Sequence, residues 1–227
     1  MMNILSQSFS LYTRNIAKLL ILCVTVILPF LILHLYLTNY LYAIAQFYST
    51  SFLADLANAF LMVFFFLIVQ IPFIEFFNSE LEGEEHVLKR AYVALFDRGL
   101  AIYVFAILFT VVFLLGIVLL VIPGIIVFIL LFSVPYLSII RQKPIRKTLS
   151  TAIHIGKKRF FRFFFVIFFL GMIEIVISFV ISYGVMSITD SYLAIAGTSI
   201  VLNLLFVPFY VALLTTSIKK WSDELSI

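Results

Sequence analysis

Residues 99–140 run for 42 positions without one Lys, Arg, Asp or Glu, and they are bracketed by Arg98 and Arg141. As a single helix rising ~1.5 Å per residue, the stretch would measure about 63 Å. That is twice the roughly 30 Å hydrocarbon core of a bilayer. The sequence therefore predicts two membrane crossings folded back at Pro123-Gly124, with an arginine marking each exit on the same side. The rest of the chain agrees, with 64% hydrophobic residues and 11% charged, where soluble domains carry about 25% charged residues.

Crossings are expected near 19–37, 52–77, 99–121, 125–140, 163–187 and 192–218, making 1–227 a single integral membrane domain. Three further segments have apolar residues on one helical face. These are Leu5, Phe9, Tyr12 and Ile16; then Val87, Leu88, Ala91 and Leu95; then Ile145, Leu149, Ala152, Ile153, Gly156 and Phe160. Each reads as an amphipathic helix lying at the membrane interface. The expected fold class is all-α, a polytopic membrane protein of six transmembrane helices plus three cytoplasmic interfacial helices. Residues 38–51 are uncharged and rich in Tyr, Asn and Ser, the chemistry of an interfacial loop. The acidic run Glu80-Leu81-Glu82-Gly83-Glu84-Glu85 reads as a solvated loop; it lacks the spacing of an EF-hand. The order of a basic amphipathic helix followed by two crossings recurs three times, and residues 9–15, 92–98 and 153–159 match in pattern. This suggests a three-unit repeat with all units in the same orientation.

The charges set a topology. All 15 Lys and Arg lie before the first crossing, within 78–98, within 141–162, or after the sixth crossing. The positive-inside rule then places both termini in the cytoplasm. The net charge of +4 thus marks membrane exits, and nucleic acid is not an expected partner. The N-terminal run is too long, and lacks the cleavage site, for a cleaved signal.

Glu174 is the most informative polar residue. It falls near mid-membrane, where an ionised carboxylate costs at least ~2.5–3.5 kcal/mol, so it is expected to be protonated, paired or facing water. Ser178 and Ser182 follow on the same helix face, with Gly171 one turn before and Asn203 on the sixth crossing as a partner. The stripe reads either as an ion, proton or solute site, or as helix packing through small and hydrogen-bonding residues. Asp55 is expected at the outer interface, and Glu75 near the cytoplasmic exit, reaching headgroups or a neighbouring Lys or Arg. Arg146, Lys147, Lys157, Lys158, Arg159 and Arg162 form the strongest basic region. They hold that loop inside and suit anionic phospholipid headgroups at about 1 kcal/mol each. His34, His86 and His154 have no metal-ligand spacing, and no nucleophile, phosphate-loop or metalloprotease motif occurs. Cys23 reads as a packing residue. Pro29, Pro72, Pro135 and Pro208 each fall in a crossing and kink it.

Val121-Ile122-Pro123-Gly124, Pro135-Tyr136, the segment bearing Ala152, Gly156, Lys157 and Phe161, and the opening Ser8-Phe9-Ser10-Leu11-Tyr12-Thr13-Arg14-Asn15 together resemble a broad bacterial family. These are six-helix membrane proteins that include the membrane domain of glycerophosphoryl diester phosphodiesterases. The usual Ser-Trp pair near Ala152 is replaced by Ile153-His154. The resemblance implies the architecture and a bacterial cytoplasmic membrane, and it carries no functional residue onto this chain. The sequence thus points to a non-enzymatic membrane protein without cofactor or metal, binding membrane lipid or a protein partner for envelope maintenance, immunity or a membrane-subunit role. The alternative is a small transporter or permease with its polar site around Glu174.

Overall fold

A computed structural model of the chain describes residues 2–47 and 51–224, and every regular element among them is helical. Helix α1 is Met2–Arg14. The run α2 (Ile16–Leu22), a π-helical turn Cys23–Ile27 and α3 (Leu28–Phe47) forms one long rod, and α4 is Ser51–Glu82. Next come α5 (Val87–Asp97), α6 (Gly99–Leu119), α7 (Val121–Leu131) and α8 (Val134–Ile140). The chain continues through α9 (Ile145–Lys158), α10 (Phe160–Met186) and α11 (Tyr192–Asp223). Among the described residues, six runs are long and apolar enough to cross a membrane: Ile16–Phe47, Ser51–Glu82, Gly99–Leu119, Val121–Ile140, Phe160–Met186 and Tyr192–Asp223.

Two expected boundaries move. The loop expected over 38–51 is helical through Phe47; residues 48–50 lie outside the described residues. Nothing in 38–47 stops a helix, since it holds neither Pro nor Gly. Its polar groups instead join neighbouring helices: Tyr42 Oη donates to Asp55 Oδ1 at 2.5 Å, and Thr38 Oγ1 donates to Asn58 Oδ1 at 3.1 Å. The hairpin break falls at Leu120, which is extended, rather than at Pro123-Gly124. Pro123 sits in the first turn of α7, where its missing N–H has no helical partner to lose. Gly124 serves the close approach of the two arms, because a Cβ on Gly116 would lie 2.8 Å from Gly124 Cα.

The other prolines act locally. Pro135 opens α8 after the break at residues 132–133 that splits the fourth span. Pro29 is the second residue of α3, in the first turn after the π-helical segment. Pro208 has no N–H for the carbonyl four residues back, Leu204. That oxygen instead accepts from the Cys23 thiol at 3.3 Å, so Cys23 packs, as expected, and also supplies a donor.

At ~1.5 Å per residue, the 32 residues of α4 and of α11 each measure about 48 Å, more than the bilayer core. Their surplus lies at one end. There residues 67–79 of α4 and most of 207–222 of α11 are buried, packed with α1, α5, α8 and α9. This is also where the basic residues gather, and it is called the basic end below. Tyr136, Phe73, Phe76 and Phe77 are fully enclosed there. The opposite ends of α3, α6, α10 and α11 present apolar side chains outward, as lipid-facing helices do.

The three amphipathic segments are helical as expected, but their faces are used differently. Val87, Ala91 and Ala94 of α5 and Thr148, Ala152, Ile155 and Gly156 of α9 are buried against the bundle. Along α1 and into the start of α2, Leu5, Phe9 and Ile16 of the expected apolar face point outward, while Ile4, Ser8, Leu11 and Asn15 turn inward.

Candidate functional site

At the basic end, the acidic run is a hub of ion pairs, which corrects its expectation as a solvated loop. Glu80 accepts from Lys18 Nζ at 2.8 Å and from Arg14 Nη2 and Asn15 Nδ2, both at 3.1 Å. Glu82 pairs with Lys219 at 2.8 Å, and Glu84 with Arg90 at 2.7 Å. Glu75, only 4% exposed, accepts from Arg90 Nε at 3.3 Å and from Gln142 Nε2 at 3.4 Å. Glu75 thus reaches an arginine, not headgroups. Gln142 in turn accepts from Arg98 at 2.6 Å, so one glutamine joins both arginines' environments across the start of the third span and the end of the fourth. Buried Tyr136 donates to Gln70 Oε1 at 2.5 Å.

These pairs engage Arg14, Lys18, Arg90, Arg141, Arg159 and Lys219. Arg159 therefore leaves the expected headgroup set, because it is bonded to Glu224. The other members, Arg146, Lys147, Lys157, Lys158 and Arg162, are exposed and form no salt bridge among the described residues. Four of them sit on the outer side of α9, because Ala152 and Gly156 fix its inner side. A Cβ on Gly156 would lie 2.9 Å from Leu130 Cα, so α9 is pressed against the α7 backbone.

A second site lies between the lipid-facing halves. A cavity of about 370 Å³ opens between α3, α4, α10 and α11. Its wall is largely aromatic and aliphatic, including Phe30, Phe65, Phe66, Met62 and Leu31. Its polar groups are Glu174, Asn203, His34 and Tyr210. Phe65 stands edge-on to both Phe30 and His34, with centroids 5.3 and 6.2 Å apart. Tyr210 Oη donates to the Ile167 carbonyl at 2.8 Å, tying α10 to α11 beneath the cavity.

Glu174 and Asn203 thus line one cavity, but they are not a bonded pair. Asn203 Nδ2 donates to the Ser199 carbonyl at 2.9 Å, a bond within its own helix turn. Glu174 makes no hydrogen bond or salt bridge among the described residues. Ser178 and Ser182 continue the half-buried face of α10 beyond the cavity and do not line it. His34 Nε2 is buried without a hydrogen-bond partner, a state that costs about 1–3 kcal/mol. His34 and Tyr210 were not singled out by sequence as members of this site. The available signal was depth, since a histidine inside a 20-residue apolar helix is expensive unless it faces protein or a cavity.

No family model, curated protein or solved structure matches the chain.

Proposed function

We propose that this chain is a non-enzymatic integral membrane protein that holds anionic phospholipid headgroups against the outer face of α9. The observation that carries this reading is the division of the cations. Six are neutralised by acidic partners, while Arg146, Lys147, Lys157, Lys158 and Arg162 form no salt bridge among the described residues and gather, exposed, on or beside one helix; the other cations without a salt bridge, Lys89, Arg98, Lys143 and Lys220, lie on other segments. At about 1 kcal/mol per basic residue near an anionic surface, five supply roughly 5 kcal/mol. The same charge pattern supports termini in the cytoplasm and the basic end on that side. The thrice-repeated order of one short helix and two spans supports a three-unit repeat. Together with the resemblance noted above, this supports a reading as a bacterial cytoplasmic-membrane protein in envelope maintenance, immunity or as a membrane subunit.

The test is native mass spectrometry of the gently extracted protein. The expected result is retained anionic phospholipid, lost when the five residues become Gln and kept in Glu174→Gln. Equal retention of zwitterionic and anionic lipid would refute the reading. The cavity favours a second reading, a small permease whose path passes Glu174. Transport that is abolished by Glu174→Gln and indifferent to the five substitutions would establish it.

A further inference from the structure

The cavity is enclosed by lipid-facing helices, yet it is not simply greasy. Among the described residues, its carboxyl group makes no hydrogen bond and one imidazole nitrogen has no partner, while the Asn203 carboxamide donates its N–H within its own helix, leaving its oxygen as an acceptor. No Lys or Arg lines it; the chain's cations lie at the basic end or beside it in sequence. An anionic headgroup would find no counter-charge there, and a neutral hydrocarbon would leave Glu174 unanswered. A carboxyl at this depth is either protonated or paired with a cation. Around it, Phe30, Phe65, Phe66 and Tyr210 offer aromatic rings, whose faces attract cations most strongly where water is excluded. The volume, about 370 Å³, falls at the small end of the roughly 300–1,000 Å³ typical of ligand pockets.

We propose that this cavity is a binding site for a lipophilic ammonium. Its hydrocarbon body lodges among Phe30, Phe65, Phe66 and Met62, and its N–H head is held by the Glu174 carboxylate. His34 Nε2, as the Nδ1-protonated tautomer, and Asn203 Oδ1 accept the remaining N–H bonds. The Glu174 proton leaves to solvent as the ammonium takes its place; His34 and Tyr210 are the other titratable groups lining the cavity. Met62, 66% exposed, stands at the rim on α4, so entry from the bilayer passes a flexible thioether rather than a packed helix. The proposal rests on neither the α9 reading nor translocation, since it asks only for binding.

The test uses the full chain in nanodiscs of zwitterionic lipid, with empty discs as background. Three probes share one hydrocarbon cage: 1-adamantylammonium, 1-adamantanol and 1-adamantanecarboxylate. Equilibrium dialysis is expected to show saturable binding of the ammonium alone, with a proton released in weak buffer. Glu174→Gln is expected to weaken it at least about tenfold, and Glu174→Asp to retain part of it. Equal binding of alcohol or carboxylate, or a Glu174→Gln protein that binds like the unaltered chain, would overturn the proposal. If Glu174→Gln does not fold, the three-probe comparison on the unaltered protein decides alone.

Discussion

Gly156→Ala asks whether α9 is clamped to the fourth span as tightly as the backbone geometry requires. The added methyl would sit 2.9 Å from Leu130 Cα and 3.0 Å from the Ile129 carbonyl oxygen. Carbon atoms pack at about 3.5–4.0 Å, so α9 must retreat by roughly 0.6 Å or more. Both obstacles are backbone, and no side-chain rotation relieves them. Overpacking of this kind costs about 1–3 kcal/mol. A helical Gly→Ala change on its own gains roughly 0.5–1 kcal/mol. The expected net loss is therefore on the order of 1–2 kcal/mol. Gly197→Ala is the control, because a methyl there meets nothing within 4 Å, and it should be neutral or slightly stabilising. Reversible unfolding in mixed micelles of increasing SDS fraction, followed by circular dichroism, measures both. If Gly156→Ala proves as stable as Gly197→Ala, the close α7–α9 contact is refuted.

Tyr136→Phe leaves the Gln70 amide with no partner on either atom, because Nε2 is already unpaired and Oε1 loses its donor. A loss of about 1–3 kcal/mol is expected in the same unfolding assay, and an unchanged stability would show that the bond contributes nothing. Cys23→Ala removes the donor to the Leu204 oxygen that Pro208 frees. In a Pro208→Ala background that oxygen regains its helical N–H, so the two changes are expected to couple by at least about 0.5 kcal/mol in a double-mutant cycle. Strict additivity would sever the link between thiol and proline.

What the sequence disclosed and what it hid divide along physical lines. Span number and the gathering of cations at one end follow from local composition, which the bilayer tests residue by residue. Helix ends inside uncharged stretches leave no such mark: nothing around Leu120 distinguishes it from its neighbours, so the proline three residues later drew attention instead. Partnerships between distant segments are likewise invisible locally. Glu80 meets Arg14 across 66 residues, and only the fold shows that the acidic run serves the N-terminal helix. Glu174 was legible because a carboxyl in lipid is costly wherever it sits. For its neighbour His34, spacing speaks only against metal binding; its significance lies in its depth and in an Nε2 without a hydrogen-bond partner among the described residues. Ser178 and Ser182 shared the right helix face but lay too far along it to reach the cavity.

The packing of α1 onto α11 sets a timetable for biogenesis. Tyr12 packs edge-on to Phe209 and donates to the Leu205 carbonyl, 193 residues further along the chain. At roughly 5–20 residues per second, a ribosome needs about 10–40 s to synthesise that interval. Throughout it, the side of α1 that bears Phe9 and Tyr12 awaits the helix that packs against it. The sixth span is therefore the one that closes the first helix into place. A nascent chain halted before it would display that unfinished side to chaperones and proteases at the membrane surface.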